Sequence, residues 1–304
     1  MIKNIPDSFH FENIGRNCIS RAILNIADTY VEYKQNEQEY DLIGLKFEEI
    51  STSNYLQINT SIVLLHQGME AYMKALICKE SAFLLIDEPH NNWPVSPDSK
   101  DEDFNSMFQI GGIKLITVFS AISSKTKVLS KTHYELFDNM RVLRNEIVHA
   151  GPTHKIDVKI ILDSALKLLK VFEKREILNT LRDNFLSNPL IQNNEDRKVT
   201  FWKKINALQT IVGKGKLSQH IDFNLKSRRY HCPKCSMIPD HVDDQHKYAL
   251  LTPNKPTSNL VKCLICGNQH NVIREDCTQV NCPGNVIYTI RENDSLCLTC
   301  FNYI

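Results

Sequence analysis

The chain has 304 residues, of which 42% are hydrophobic and 23% charged, and its formal net charge is +1. That length allows two domains of ordinary size, and the composition is that of a globular protein rather than a long disordered one. The near-neutral balance excludes a whole-chain field that would draw nucleic acid or a membrane surface, so attraction to an anionic partner must come from a local patch.

The N-terminal stretch, Met1 to Asn13, has no apolar run of signal-peptide length. The longest apolar stretches, such as Ile62–Leu65 and Ala82–Ile86, are far too short to span a bilayer. A soluble, cytoplasmic protein with no membrane partner is therefore the expectation.

Helices dominate the first 180 residues. A weak periodic series covers roughly Cys18 to Tyr33. A stronger one runs Ile58, Ile62, Leu65, Met69, Tyr72, Leu76, with alternating steps of four and three that match the helix period. The segment from Asp87 to Asp103 carries Pro89, Pro94 and Pro97 and cannot continue a helix. A third series, Leu136, Met140, Leu143, Ile147, stops at His149-Ala150-Gly151-Pro152, where glycine suits a left-handed cap and proline blocks continuation. A fourth is Val158, Ile161, Ala165, Leu168, Phe172. These elements predict a mainly α fold: an antiparallel bundle of four or five helices over residues 1–180.

Residues 181–230 read as a basic helical linker. Between Arg197 and Arg229 there are nine Lys or Arg and a single acid, Asp222. Phe201 and Trp202 adjoin Lys203 and Lys204, and Arg228 and Arg229 precede Tyr230. Basic residues interleaved with aromatics can follow a phosphate backbone and stack bases. The plainer reading is a solvated helix face.

Residues 231–304 hold eight of the ten cysteines, as Cys232-x2-Cys235, Cys263-x2-Cys266, Cys277-x4-Cys282 and Cys297-x2-Cys300. In a reducing compartment such pairs are metal ligands more often than disulfides. A tight turn presents two thiolates to one ion, and two turns complete a tetrahedral shell. Pro233, Gly267, Pro283 and Gly284 supply turn chemistry that lets backbone amides point at sulfur. The simplest pairing is sequential, with Cys232, Cys235, Cys263 and Cys266 around one ion and Cys277, Cys282, Cys297 and Cys300 around the other. A cross-braced pairing stays open. Two structural Zn2+ ions in a small zinc-ribbon-like β domain are expected, with short strands such as Asn285–Ile290 between knuckles; disulfides and iron–sulfur are the alternatives. A shell of four thiolates leaves no open position for chemistry. His231, His241, His246 and His270 are spare donors nearby.

The third helical series ends Leu143-Arg144-Asn145-Glu146-Ile147-Val148-His149, and the second contains Gly68-Met69-Glu70-Ala71-Tyr72-Met73-Lys74-Ala75. An Arg followed by a polar residue and, four residues further on, a His at the end of a bundle helix resembles the motif of the HEPN superfamily. The earlier Gly-x-Glu-x3-Lys-Ala run is similar to that family's first core helix. The resemblance covers roughly residues 55–175. It implies a ribonuclease in which Arg144, Asn145 and His149 form the site, with Glu70 in support of Arg144. It further implies a homodimer that brings two copies of the motif together, and a role as a toxin or antiviral defence effector.

The residue types suit that chemistry. Cleaving RNA without a metal cofactor needs a general base for the ribose 2′-OH, and histidine titrates near neutrality. A guanidinium offers planar, permanent positive charge to the phosphorane oxygens. Asn145 and His149 are four apart and share a helix face. Arg144 is about 140° round from His149, by five steps of the ~100° helical repeat, and must bend to meet it. Structural roles exist too: His149 suits a helix C-terminus through the dipole, and Arg144 could pair with Glu146 or Glu70. The competing function is a non-catalytic dimerisation or binding module whose ribbons contact nucleic acid or a regulatory protein partner. Action on DNA lacks support, because no recognition helix with base-reading residues stands out.

Overall fold

The computed structural model describes residues 1–39, 47, 55–89, 93, 100–126, 131–149, 157–173, 175–187, 194–221, 223–236, 247–291 and 294–304. The chain divides into two compact units, Met1–Arg175 and Glu176–Ile304. One division thus stands where the sequence reading set two, at 180 and 230, and the segment 181–230 lies in the same unit as the cysteines.

The first unit is helical: α1 (Ser8–Glu39), α2 (Tyr55–Glu80), α3 (Gly112–Thr126), α4 (Lys131–His149) and α5 (Val158–Phe172). A short parallel pair, β1 (Ile2–Lys3) with β2 (Glu102–Asp103), ties the N-terminus to the region before α3. The periodic residues do what their spacing predicts: Ile58, Ile62, Leu65, Met69 and Tyr72 are all buried on α2. Helix α5 buries Val158, Ile161, Ala165 and Leu168 of its predicted series, with Phe172 half-buried, and is capped by Asp157, whose carboxylate accepts the N–H groups of Lys159 and Ile160. Helices α1 and α2 approach closely at Gly15 and Gly68. A β-carbon on Gly68 would sit 2.5 Å from Ile19 Cγ1, and one on Gly15 would sit 2.6 Å from the Tyr72 ring.

A buried polar network joins α1, α2 and the end of α5. Glu173 accepts from Tyr72 Oη (2.5 Å) and from Arg16 Nε (2.9 Å), while the Tyr72 ring stacks on Phe172 at 4.4 Å. A buried carboxylate held by a cation and a hydroxyl has the partners it needs. Gly151 and Pro152, which the sequence assigns to the stop of α4, lie outside the described residues, and α4 ends at His149.

The second unit starts with α6 (Ile177–Leu186), α7 (Asn194–Val212) and α8 (Lys214–Ile221). Then come a four-stranded antiparallel sheet in chain order, β3 (Arg229–Tyr230), β4 (Ala249–Leu251), β5 (Leu260–Cys263) and β6 (Gln269–Asn271), and the hairpin β7 (Ile287–Arg291)–β8 (Asp294–Cys297). The fold is mainly α with a small cysteine-bearing β region at its C-terminal end. Among the described residues, no helix is long and apolar enough to cross a membrane.

Candidate metal centres and the Arg–His motif

The strands place the cysteines. Cys232 and Cys235 form a turn after β3, and Cys263 ends β5, with Cys266 in the turn to β6. Cys277 and Cys282 precede β7, and Cys297 ends β8, with Cys300 in the following turn. The thiols gather in the sequential grouping, Cys232, Cys235, Cys263, Cys266 and Cys277, Cys282, Cys297, Cys300, each group within 4.8 Å of itself. The cross-braced alternative is not what forms.

The sulfur geometry tests whether an ion fits. Cys232–Cys266 and Cys235–Cys263 are 3.7 and 3.9 Å apart, and Cys277–Cys300 and Cys282–Cys297 are both 3.8 Å. A tetrahedron with metal–sulfur bonds of ~2.3 Å has edges of ~3.8 Å. A disulfide would need ~2.05 Å, and all ten cysteines are free. The donor sets therefore fit one four-coordinate ion each. Backbone amides support the sulfurs as expected: Ile265 and Cys266 N–H groups point at Cys263 Sγ (3.3 and 3.4 Å), and Gln279 N–H at Cys277 Sγ (3.5 Å).

The two knuckles that end β5 and β8 use the same turn with different residues. Gly267 follows Cys266 at φ +72°, and Phe301 follows Cys300 at φ +63°. Glycine takes that conformation freely, whereas phenylalanine is strained there. The Phe301 ring is held against His231 at 5.0 Å. Of the spare histidines, His270 Nε2 lies 3.8 Å from Cys232 Sγ. His241 and His246 fall outside the described residues. The first group is the more enclosed, with Cys232, Cys235 and Cys263 buried; in the second only Cys297 is.

In the first unit, Arg144, Asn145 and His149 sit on the last turns of α4. Arg144 Nη1 donates to Asn145 Oδ1 at 2.9 Å, and both side chains are half-buried. His149 is exposed on the final turn. Among the described residues no ion pair joins Arg144 to Glu70 or to Glu146. Glu70 instead accepts the Gly112 N–H at the start of α3, at 3.4 Å. The expected direct contact between Glu70 and Arg144 is not among those the described residues make.

His66, on α2, is not among the residues the sequence singles out. It is 4% exposed, stacks on Phe137 of α4 at 5.5 Å, and its Nε2 has no hydrogen-bond partner among the described residues. Burial pushes its pKa below the usual histidine range; Glu70 opposes the shift, and Arg144 and Arg141 reinforce it. The signal was present: His66 is one turn before Glu70 on the same face.

The basic segment differs from its expectation. Phe201 and Trp202 are buried and pack on Phe185 (5.6 Å) and Tyr248 (5.2 Å), and Tyr230 is buried as well. These rings are core and do not present faces to bases. Lys204 is buried too, its ammonium 5.1 Å from the Phe185 ring. No family model matches this chain, and neither a curated protein nor a solved structure does.

Proposed function

We propose that the protein is a metal-independent endoribonuclease whose helical unit cuts RNA through attack of the ribose 2′-OH, and whose second unit is folded around two structural Zn2+ ions. The observation that carries the nuclease reading is the state of Arg144. It is half-buried, joined to Asn145 and not engaged by Glu70 or Glu146, five residues before the exposed His149. A guanidinium held by a neutral amide keeps its charge for an anion.

His149 takes the proton from the 2′-OH as that oxygen attacks phosphorus. Arg144 stabilises the charge on the non-bridging oxygens. The bond from phosphorus to the 5′-oxygen breaks, and that oxygen receives a proton from the partner subunit's His149. The products are a 2′,3′-cyclic phosphate and a 5′-OH end. A second histidine for the acid step is the chemical reason for a homodimer, since one α4 supplies one His149. Zinc, when bound, neutralises and fixes four thiolates per shell and contributes folding energy rather than chemistry.

The test is cleavage of single-stranded RNA with no divalent ion added. Wild type should cut, and Arg144→Ala and His149→Ala should each lose about 100-fold or more, the scale of a general base or an oxyanion donor. If all three proteins are equally active or equally inert, the reading fails. Metal analysis under reducing conditions tests the other half, with two zinc ions per chain expected.

A further inference from the structure

The basic segment loses its aromatics to the core but keeps a cavity. Within the second unit, the C-terminal half of α7, the start of α8 and the turn before β3 line an open concavity of about 500 Å3. That volume lies in the range of small-molecule sites, roughly 300–1,000 Å3. Lys214, Lys226 and Arg229 line it, and among the described lining residues there is no carboxylate.

Each cation is placed by the fold. Arg229 Nη2 donates to Gln209 Oε1 at 2.9 Å, and its guanidinium lies 4.6 Å from the centre of the buried Trp202 ring. Gln209, 5% exposed, is fixed in turn by its own donation to Asn206 Oδ1 at 2.9 Å. Lys226 sits on a turn pinned by Asn224: its N–H bonds Asn224 Oδ1, and the Ser227 N–H bonds Asn224 O. From there its ammonium reaches over Gly215 in the first turn of α8, where an added β-carbon would lie 4.0 Å from Nζ. Gly213, at φ +94°, turns the chain sharply into α8 and sets Lys214 at the rim. Ser227 lines the same space, and its Oγ is buried and without a hydrogen-bond partner among the described residues.

Three positive charges around one concavity repel one another, and an anion bound between them relieves that repulsion. A donor hydroxyl and a planar guanidinium add directional hydrogen bonds to the charge, which suits the several oxygens of a phosphate better than a single halide-like ion. We propose that this cavity is a binding site for the phosphate of a phosphate ester, held by Lys214, Lys226, Arg229 and Ser227. The site is confined to the second unit and does not depend on the nuclease reading.

Calorimetric titration of the zinc-loaded full chain with inorganic pyrophosphate tests it. Saturable one-to-one binding that weakens as salt rises is expected. Lys214→Ala with Lys226→Ala, both at exposed positions, should weaken binding by about tenfold or more, roughly 1.4 kcal/mol. Lys203→Ala, an exposed lysine of α7 outside the cavity, should leave binding unchanged. Absence of saturable binding at millimolar pyrophosphate, an unaffected double variant, or an equal loss in Lys203→Ala would each overturn the proposal. Competition by a short oligoribonucleotide identifies the source of the phosphate. Displacement of pyrophosphate supports a site for a nucleic-acid backbone, and retention supports a site for a small organic phosphate.

Discussion

The contact between α1 and α2 at Gly68 can be probed with a double-mutant cycle. Gly68→Ala places a β-carbon 2.5 Å from Ile19 Cγ1 and 3.0 Å from the Gly15 carbonyl oxygen. Ordinary carbon–carbon contact is ~3.5–4.0 Å, so the overlap with Ile19 is on the order of 1 Å. Ile19 is fully buried, and its β-branched side chain is stiff at χ1, so it cannot swing away without cost. Overpacking of this kind costs about 1–3 kcal/mol. The same substitution gains up to ~1 kcal/mol of helix propensity, which can mask the clash in the single variant. Removing Ile19 Cγ1 with Ile19→Ala relieves the 2.5 Å overlap, while the contacts with the Gly15 carbonyl oxygen (3.0 Å) and Cys18 Cβ (3.2 Å) and the propensity gain are common to both backgrounds. The two effects therefore separate in the cycle, where the coupling energy should be about 1–3 kcal/mol in favour of the double variant. Urea unfolding followed by far-ultraviolet circular dichroism reads it. Additive effects, within the error of the cycle, would show that α1 and α2 do not meet through these atoms.

Three further outcomes follow from the sites. Strong chelation should remove the second ion before the first, because only Cys297 of its four ligands is buried, and zinc release monitored with a colorimetric indicator should be biphasic. Gly284→Ala would set a β-carbon 2.8 Å from Cys297 Sγ, so zinc content should fall from two ions to one per chain while the first site persists. The depressed pKa of His66 means that the unfolded chain binds its proton at higher pH than the folded chain does. Stability is then complete above the ordinary histidine pKa and declines as pH falls below it toward the folded value, at up to ~1.4 kcal/mol per pH unit. His66→Phe should flatten that decline in melts between about pH 4 and 7, and an unchanged pH profile would argue against a buried neutral imidazole.

The helices that could be read from sequence were those whose apolar residues recur at steps of three and four: α2 and α5 bury most of that stripe, while on α4 only Met140 is buried and Leu136, Leu143 and Ile147 are half-buried. Helix α3 escaped because Ile113, Leu115, Ile116, Val118 and Phe119 crowd together without a clean period. Only Leu115 and Phe119 of these, four apart, are fully buried, while Ile113 is 67% exposed. The cysteine grouping was legible because the ligand turns are local in sequence and the strands between them are short. Long-range contacts were not. The resemblance implies that Glu70 supports Arg144, whereas Glu70 accepts the N–H of Gly112 at the start of α3, an element without a clean period in the sequence. Phe201 and Trp202 looked like surface aromatics because lysines follow them. Their burial depends on partners distant in sequence, Phe185 of α6 and Tyr248 just before β4, which no local pattern in the sequence specifies.

The nuclease reading stands or falls on the identity of the attacking oxygen. An otherwise uniform oligoribonucleotide carrying one 2′-deoxynucleotide on the 5′ side of the preferred scissile bond should be spared at that bond and still be cut elsewhere. The fragments should end in 2′,3′-cyclic phosphate. Cutting at the deoxy position, or equal cutting of the matching DNA strand, would contradict a mechanism built on His149 and Arg144.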